Sequence, residues 1–257
     1  MMRLFQTLIP VALIAAEVAF AEPRTWTSAD GRTLQAEFVK ADPTGVTVRK
    51  DNGDQLVIPP NRLSDEDWLY AGKQAEAAKA AAAAAKHEKE KQAEISKYLR
   101  GPLTYKLSGG SENWPEDRRK RIVEAMDAGV FHLNKHGDFK KQVTANNSPG
   151  TPTADANFDG WINWGGSINR RVALHEIGHT LGIGTHPDWQ SHIEDGKWTG
   201  KHAIKQLQEF DGPDAVLHAD RQHFWPYGLN FDNESSLTND LRFVKMVEAF
   251  RKDLGIR

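Results

Sequence analysis

The chain has 257 residues, 39% of them hydrophobic and 26% charged, with a formal net charge of −2. That is room for one moderate catalytic domain and a smaller companion, and with no basic excess to neutralise phosphates a dedicated nucleic-acid binder is excluded. Cysteine is absent, which removes thiol chemistry, disulfides and a lipobox anchor, so stability must come from packing, with metal as the other available source.

Residues 1–21 read as an export signal. Arg3 gives a positive start, Leu4 to Ala16 is mostly apolar, and Ala19-Phe20-Ala21 is a small-x-small site with cleavage expected before Glu22. The apolar run is too short to span a bilayer. The mature chain is therefore expected to be secreted or periplasmic, with no membrane span.

Residues 22–70 predict a small all-β barrel. Asp30-Gly31, Pro43-Thr44-Gly45 and Asn52-Gly53 are turn signals between short alternating runs. Leu34, Ala36 and Phe38, then Val46 and Val48, then Leu56 and Ile58 point one face inward. Ser64 with Asp67 three residues on is a helix-opening box before Trp68. Arg24-Thr25-Trp26, Ala36-Glu37-Phe38, Val46-Thr47-Val48, Ile58-Pro59 and Leu63-Ser64-x-x-Asp67 resemble the first Sla homology domain, a Src-homology-3-like fold. The resemblance implies a docking module without chemistry of its own and does not name its protein partner. The other reading is a barrel that only stabilises the N-terminus.

Residues 71–100 turn abruptly to Ala, Lys, Glu and Gln. Such composition has the best helix propensity, and pairs such as Glu76 with Lys79 add a little. A spacer helix of roughly 45 Å is expected, without the leucine heptads of a coiled coil. Gly101-Pro102 ends it.

Residues 101–257 make up the α+β catalytic unit, so the whole chain is expected to be α+β. LTYKL, from Leu103, predicts a strand, and Pro115 opens a helix to about Asn134 with a stripe of Ile122, Ala125, Met126 and Val130. Strands follow near Lys141 to Ala145 and at Trp161 to Trp164, the second expected as the edge to which an extended peptide adds. Asp155, Asn157, Asp159 and Gly160 open a calcium-loop pattern, D-x-N-x-D-G, but Gly166 stands where the bidentate glutamate belongs. A plain turn is the preferred reading, with calcium the alternative. Ser111, Ser148 and Ser167 have no nucleophile-elbow context, which argues against a serine hydrolase.

ALHEIGHTLGIGTH, from Ala173 to His186, organises the rest. His175 and His179 are four apart and share a helix face, so both imidazoles can reach one zinc ion while Glu176 works on water. Leu174, Ile177 and Leu181 give the helix an apolar side, and Gly182 and Gly184 end it. The third ligand departs from the zincin spacing. Its slot is Thr185, and His186 is one place late; His223, inside DRQHFWPYGLN with Asp220 nearby, is the distant alternative, and Glu194 or Glu209 are glutamates at a possible distance. An irregular stretch follows at Pro187 to Gly200, then a short helix at His202 to Phe210 and a last helix at Asp240 to Leu254. Tyr227 is a candidate oxyanion donor, with an aromatic packing role as the other reading.

ALHEIGHTLGIGT, HFWPYG and the final VKMVEAFRKDLG together resemble secreted zincin-like, metzincin-type domains often attached to carbohydrate-binding modules. That resemblance implies a zinc-dependent fold with His175, Glu176 and His179 in the ligand and general-base roles, and it favours His223 over His186. It supplies no substrate. The expected function is a zinc metallopeptidase acting on peptide or protein, with glycoprotein or cell-wall-associated material among the candidate substrates; a noncatalytic adaptor binding protein or glycan is the rival, and a purely structural zinc site the third reading.

Overall fold

The computed structural model describes residues 22–256, and residues 1–21, expected to be an export signal, lie outside them. The chain is α+β and divides into two compact units, residues 1–90 and 91–257. Among the described residues no helix is long and apolar enough to cross a membrane.

In the first unit β1 (Arg24–Thr27), β2 (Thr33–Asp42), β3 (Gly45–Arg49) and β4 (Gln55–Ile58) form an antiparallel meander. Gly31 and Gly53 sit at positive φ in the tight turns, where a side chain would be strained. The strand ladders stop short of a closed barrel; a Ser28–Leu63 bridge and a Ser64 N–H bond to the Thr27 carbonyl bring the chain after β4 back to β1. Trp26, Ala36, Val46, Val48, Leu63 and Ala71 are the core. Leu56, expected to point inward, is 40% exposed. It lies on the edge strand, beyond the reach of so small a core.

The helix α1 runs from Asp65 to Leu99, 35 residues, starting earlier than the alanine-rich composition suggests. Ser64 Oγ accepts from the Asp67 N–H, and the buried Asp67 carboxylate accepts from Arg24 and from the Thr27 N–H, fixing the first turn to β1. From Glu76 to Glu94 every residue is exposed, so propensity rather than packing holds this stretch helical.

The second unit has β5 (Leu103–Leu107), α2 (Glu116–His136), β6 (Lys141–Asn147), β7 (Ala154–Ala156), β8 (Trp161–Trp164), α3 (Arg170–Thr180), α4 (Lys201–Asp211) and α5 (Leu237–Asp253). The sheet order is β5-β6-β8-β7, with β5, β6 and β8 parallel and β7 antiparallel at the edge. A parallel pair needs a crossover, and α2 provides it between β5 and β6. Trp161 to Trp164 is thus an interior strand and not the expected edge. The Asn157-to-Gly160 turn folds the chain back, so β7 takes the outer place. In that turn Asp155 accepts from Asn163 and Asn157 accepts from the Trp161 N–H, the plain-turn use of the D-x-N-x-D-G residues.

Glycines let the helices approach. A Cβ at Gly129 of α2 would stand 3.0 Å from Ala173 of α3, and one at Gly178 of α3 would stand 2.7 Å from the Phe243 ring of α5. The stretch from Pro187 to Gly200, expected to be irregular, contains a hairpin of β9 (Ile193–Glu194) and β10 (Lys197–Trp198) turning at Asp195-Gly196, both at positive φ. Glu-Asp-Gly-Lys was its signal. It pairs on to β11 (His218–Ala219) and β12 (Phe224–Trp225). Helix α5 begins at Leu237, before the expected Asp240, because Ser236 caps it through the Asn239 N–H.

Asp253 caps α4 from a distance: its carboxylate accepts the backbone N–H groups of His202 and Ala203 and the Trp198 indole. Asp253→Ala should cost about 1–2 kcal/mol, read as a lower midpoint in urea unfolding. A second measurement concerns His132. Its Nδ1 accepts from Arg170, its buried Nε2 has no partner, and burial, helped by Arg170 and His136, pushes its pKa down to about 4. A folded-state value below the unfolded one means stability is fully present above pH 6.5 and lost as pH falls towards about 4, by on the order of 3 kcal/mol. In His132→Gln that slope should be shallower between pH 7 and pH 4, and the remainder belongs to other buried histidines.

Candidate metal centre

Asn169 starts α3 by accepting the Val172 N–H, and the helix ends at Thr180 with Leu181 as its cap. Leu174, Ile177 and Leu181 are buried on one side. On the other, His175 and His179 come within 3.0 Å, Nε2 to Nε2. The contact is not a hydrogen bond. His175 Nδ1–H donates to the Gly228 carbonyl at 2.9 Å, and His179 Nδ1–H donates to the Ile183 carbonyl at 2.7 Å. Carbonyls only accept, so each ring carries its proton on Nδ1 and turns an Nε2 lone pair to the other. Two lone pairs so placed repel unless a positive charge lies among them.

The third ring is His223. One nitrogen from each of His175, His179 and His223 lies within 4.8 Å of the others, and the His223 ring stands 5.5 Å from His175 and 5.7 Å from His179, centroid to centroid. The donor set fits zinc: three imidazoles, and an Nε2 pair close to the roughly 3.3 Å that two nitrogens span when each is about 2.05 Å from a tetrahedral ion. Asp220 supports His223 differently from the expected ring hydrogen bond. Its carboxylate accepts the Gln222 and His223 N–H groups at 2.7 and 2.6 Å, whereas His223 Nδ1 is 3.6 Å away. It shapes the loop, and the loop places the ring.

The other sequence candidates fall outside this group. His186 packs edge-on against Phe158 at 5.0 Å, and its Nδ1 accepts the Asp188 N–H. The extra residue before it is absorbed where Thr185 Oγ1 donates to the His179 carbonyl. Glu194 is exposed on β9, and Glu209 on α4 pairs with Lys205 and Gln206. The Tyr227 hydroxyl donates to Asp211 at 2.7 Å and contacts Arg242; it would have to leave these partners to reach an oxyanion.

Glu176 is 4% exposed, and its Oε2 has no hydrogen-bond partner. Burial first, and then the Asp155 carboxylate, push its pKa up to about 8, with Arg171 opposing. Burial also pushes His175 down to about 3 and His179 to about 4, so both stay neutral, as ligation requires. A cation among the imidazoles would favour the ionised carboxylate beside them. Sequence reasoning missed the Gly228 and Ile183 carbonyls and Asp155. Gly182 and Gly184 were the nearest signal, since a chain that turns twice at positive φ can return a carbonyl to the helix.

No protein-family model matches the chain, and no curated protein or solved structure matches it.

Gly184 also makes room for the third ligand. At φ +65°, its Cβ would stand 2.0 Å from the Gln222 carbonyl oxygen, one residue before His223. Gly184→Ala should therefore displace His223 and weaken zinc binding roughly 10–100-fold, measured by competition with a chromophoric chelator, while far-UV circular dichroism stays native.

Proposed function

We propose that the chain is a zinc-dependent peptide hydrolase, with His175, His179 and His223 holding the metal. The observation that carries this reading is the convergence of three imidazoles from two separate segments, with a buried carboxylate next to the first along α3. Zinc held there supplies a Lewis acid that acidifies water and polarises a carbonyl. Glu176 takes the proton from water and returns it to the leaving amine, and its burial keeps that proton from bulk solvent. Edge strand β7 packs beside α3, and its free side can pair with the backbone of an extended substrate. The signal-like residues 1–21 support an exported setting.

The test is metal content and peptide cleavage of the purified chain. Glu176→Gln should keep one zinc per chain while turnover falls roughly 10²–10⁴-fold. His223→Ala should lose the metal and His186→Ala should keep it. Full activity in Glu176→Gln would overturn the general-base role. A wild-type chain that binds no zinc but retains glycans would favour the noncatalytic reading.

A further inference from the structure

Beside the imidazoles lies a cleft of about 350 Å³ lined by His218, Trp225, Pro226, Tyr227, Glu234 and Asn239. Two links join it to the candidate centre. The Trp225 ring is 6.0 Å from the His223 ring, and Tyr227 precedes Gly228, whose carbonyl holds His175. His218 pairs with Trp225 across β11 and β12, which fixes this wall to the small sheet.

The lining has a definite chemistry. Two aromatic rings and a proline make it largely apolar, and Glu234 is its one carboxylate. Glu234 is held in place: Oε2 accepts the Asn230 N–H at 2.7 Å, and its backbone carbonyl accepts from Asn239 at 2.8 Å. Lysine and arginine are absent from the lining. Two guanidinium groups stand close by and each is paired with a carboxylate: Arg242 lies 4.9 Å from the Tyr227 ring and 5.1 Å from the Phe210 ring and meets Asp211 at 3.1 Å, and Arg171, which donates to the Leu229 and Asn230 carbonyls, meets Asp232 at 2.8 Å. An aromatic cleft with a positioned carboxylate, whose neighbouring guanidinium groups are already paired with carboxylates of their own, is complementary to a positive side chain, whose stem the rings cover and whose head the carboxylate meets.

We propose that this cleft receives a lysine or arginine side chain of the peptide whose backbone lies at the imidazole centre. The inference rests on the hydrolase reading and names its substrate class. Charge is the selecting feature: an acidic side chain would face Glu234, and a neutral one of equal length would gain only the apolar wall.

Binding to the full chain carrying Glu176→Gln, which should not turn substrate over, tests the cleft apart from catalysis. The probes are two hexapeptides identical except for one central lysine or norleucine, followed by tryptophan fluorescence and isothermal titration. The lysine peptide should bind roughly ten-fold tighter. Adding Glu234→Gln, which keeps an acceptor for Asn230, should bring the two peptides within about two-fold of each other. Trp225→Leu should weaken both, and circular dichroism checks that each variant is folded. Equal binding of the two peptides, an unchanged preference in Glu234→Gln, or no binding of either would overturn the proposal. A lysine preference in a chain that cleaves no peptide would keep the cleft and sink the hydrolase reading instead.

Discussion

Two backbone carbonyls hold the candidate centre together. Gly228 accepts from His175 and Ile183 accepts from His179, and with those bonds made neither ring can rotate or exchange its proton between nitrogens. Everything that faces the metal position follows: the Nε2 lone pairs converge because the Nδ1 protons are committed elsewhere. Both carbonyls come from segments that glycine makes possible. A Cβ at Gly228 would stand 2.2 Å from the Phe224 carbonyl oxygen, and Ile183 sits between Gly182 and Gly184 at positive φ.

That arrangement is only as firm as α3, and eleven residues are too few for a helix to stand alone in water. Packing supplies what length does not. Gly129 brings α2 against Ala173 and Ile177, Gly178 brings α5 against the opposite side through Phe243, and β7 and β8 lie beneath. The side of α3 that remains carries His175, with Glu176 and His179 buried at its margin. Burying an unpartnered carboxylate and two imidazoles is costly. Such a cost is tolerated where a cation can offset it, which is the physical content of reading this cluster as a metal centre.

The first unit has a different economy. Its core is six buried residues, and the ion pair of Arg24 with Asp67 joins helix to strand at 2.5 Å. The exposed alanine-rich span of α1 is held helical by its composition, with little packing against it.

Much of this was legible in the order of residues. Local rules determined the H-E-x-x-H helix, the strand at Leu103 to Leu107, the helix opened at Pro115, the Ser64–Asp67 box and the alanine-rich rod, because each depends on spacing, capping or propensity within a few residues. Tertiary structure alone decided the rest. The spacing left His186 and His223 both open and resemblance favoured His223, but that its ring meets His175 and His179 depends on where a loop 44 residues beyond His179 returns, and the choice of β7 over β8 as sheet edge depends on how a turn folds back. Leu56 faces water for a similar reason, since alternation names a face but not how far the core extends. Even the Nδ1 proton of His175 and of His179 is set by a distant or turned-back carbonyl. Sequence fixes which groups a segment offers; which of them meet is settled by packing among segments far apart in the chain.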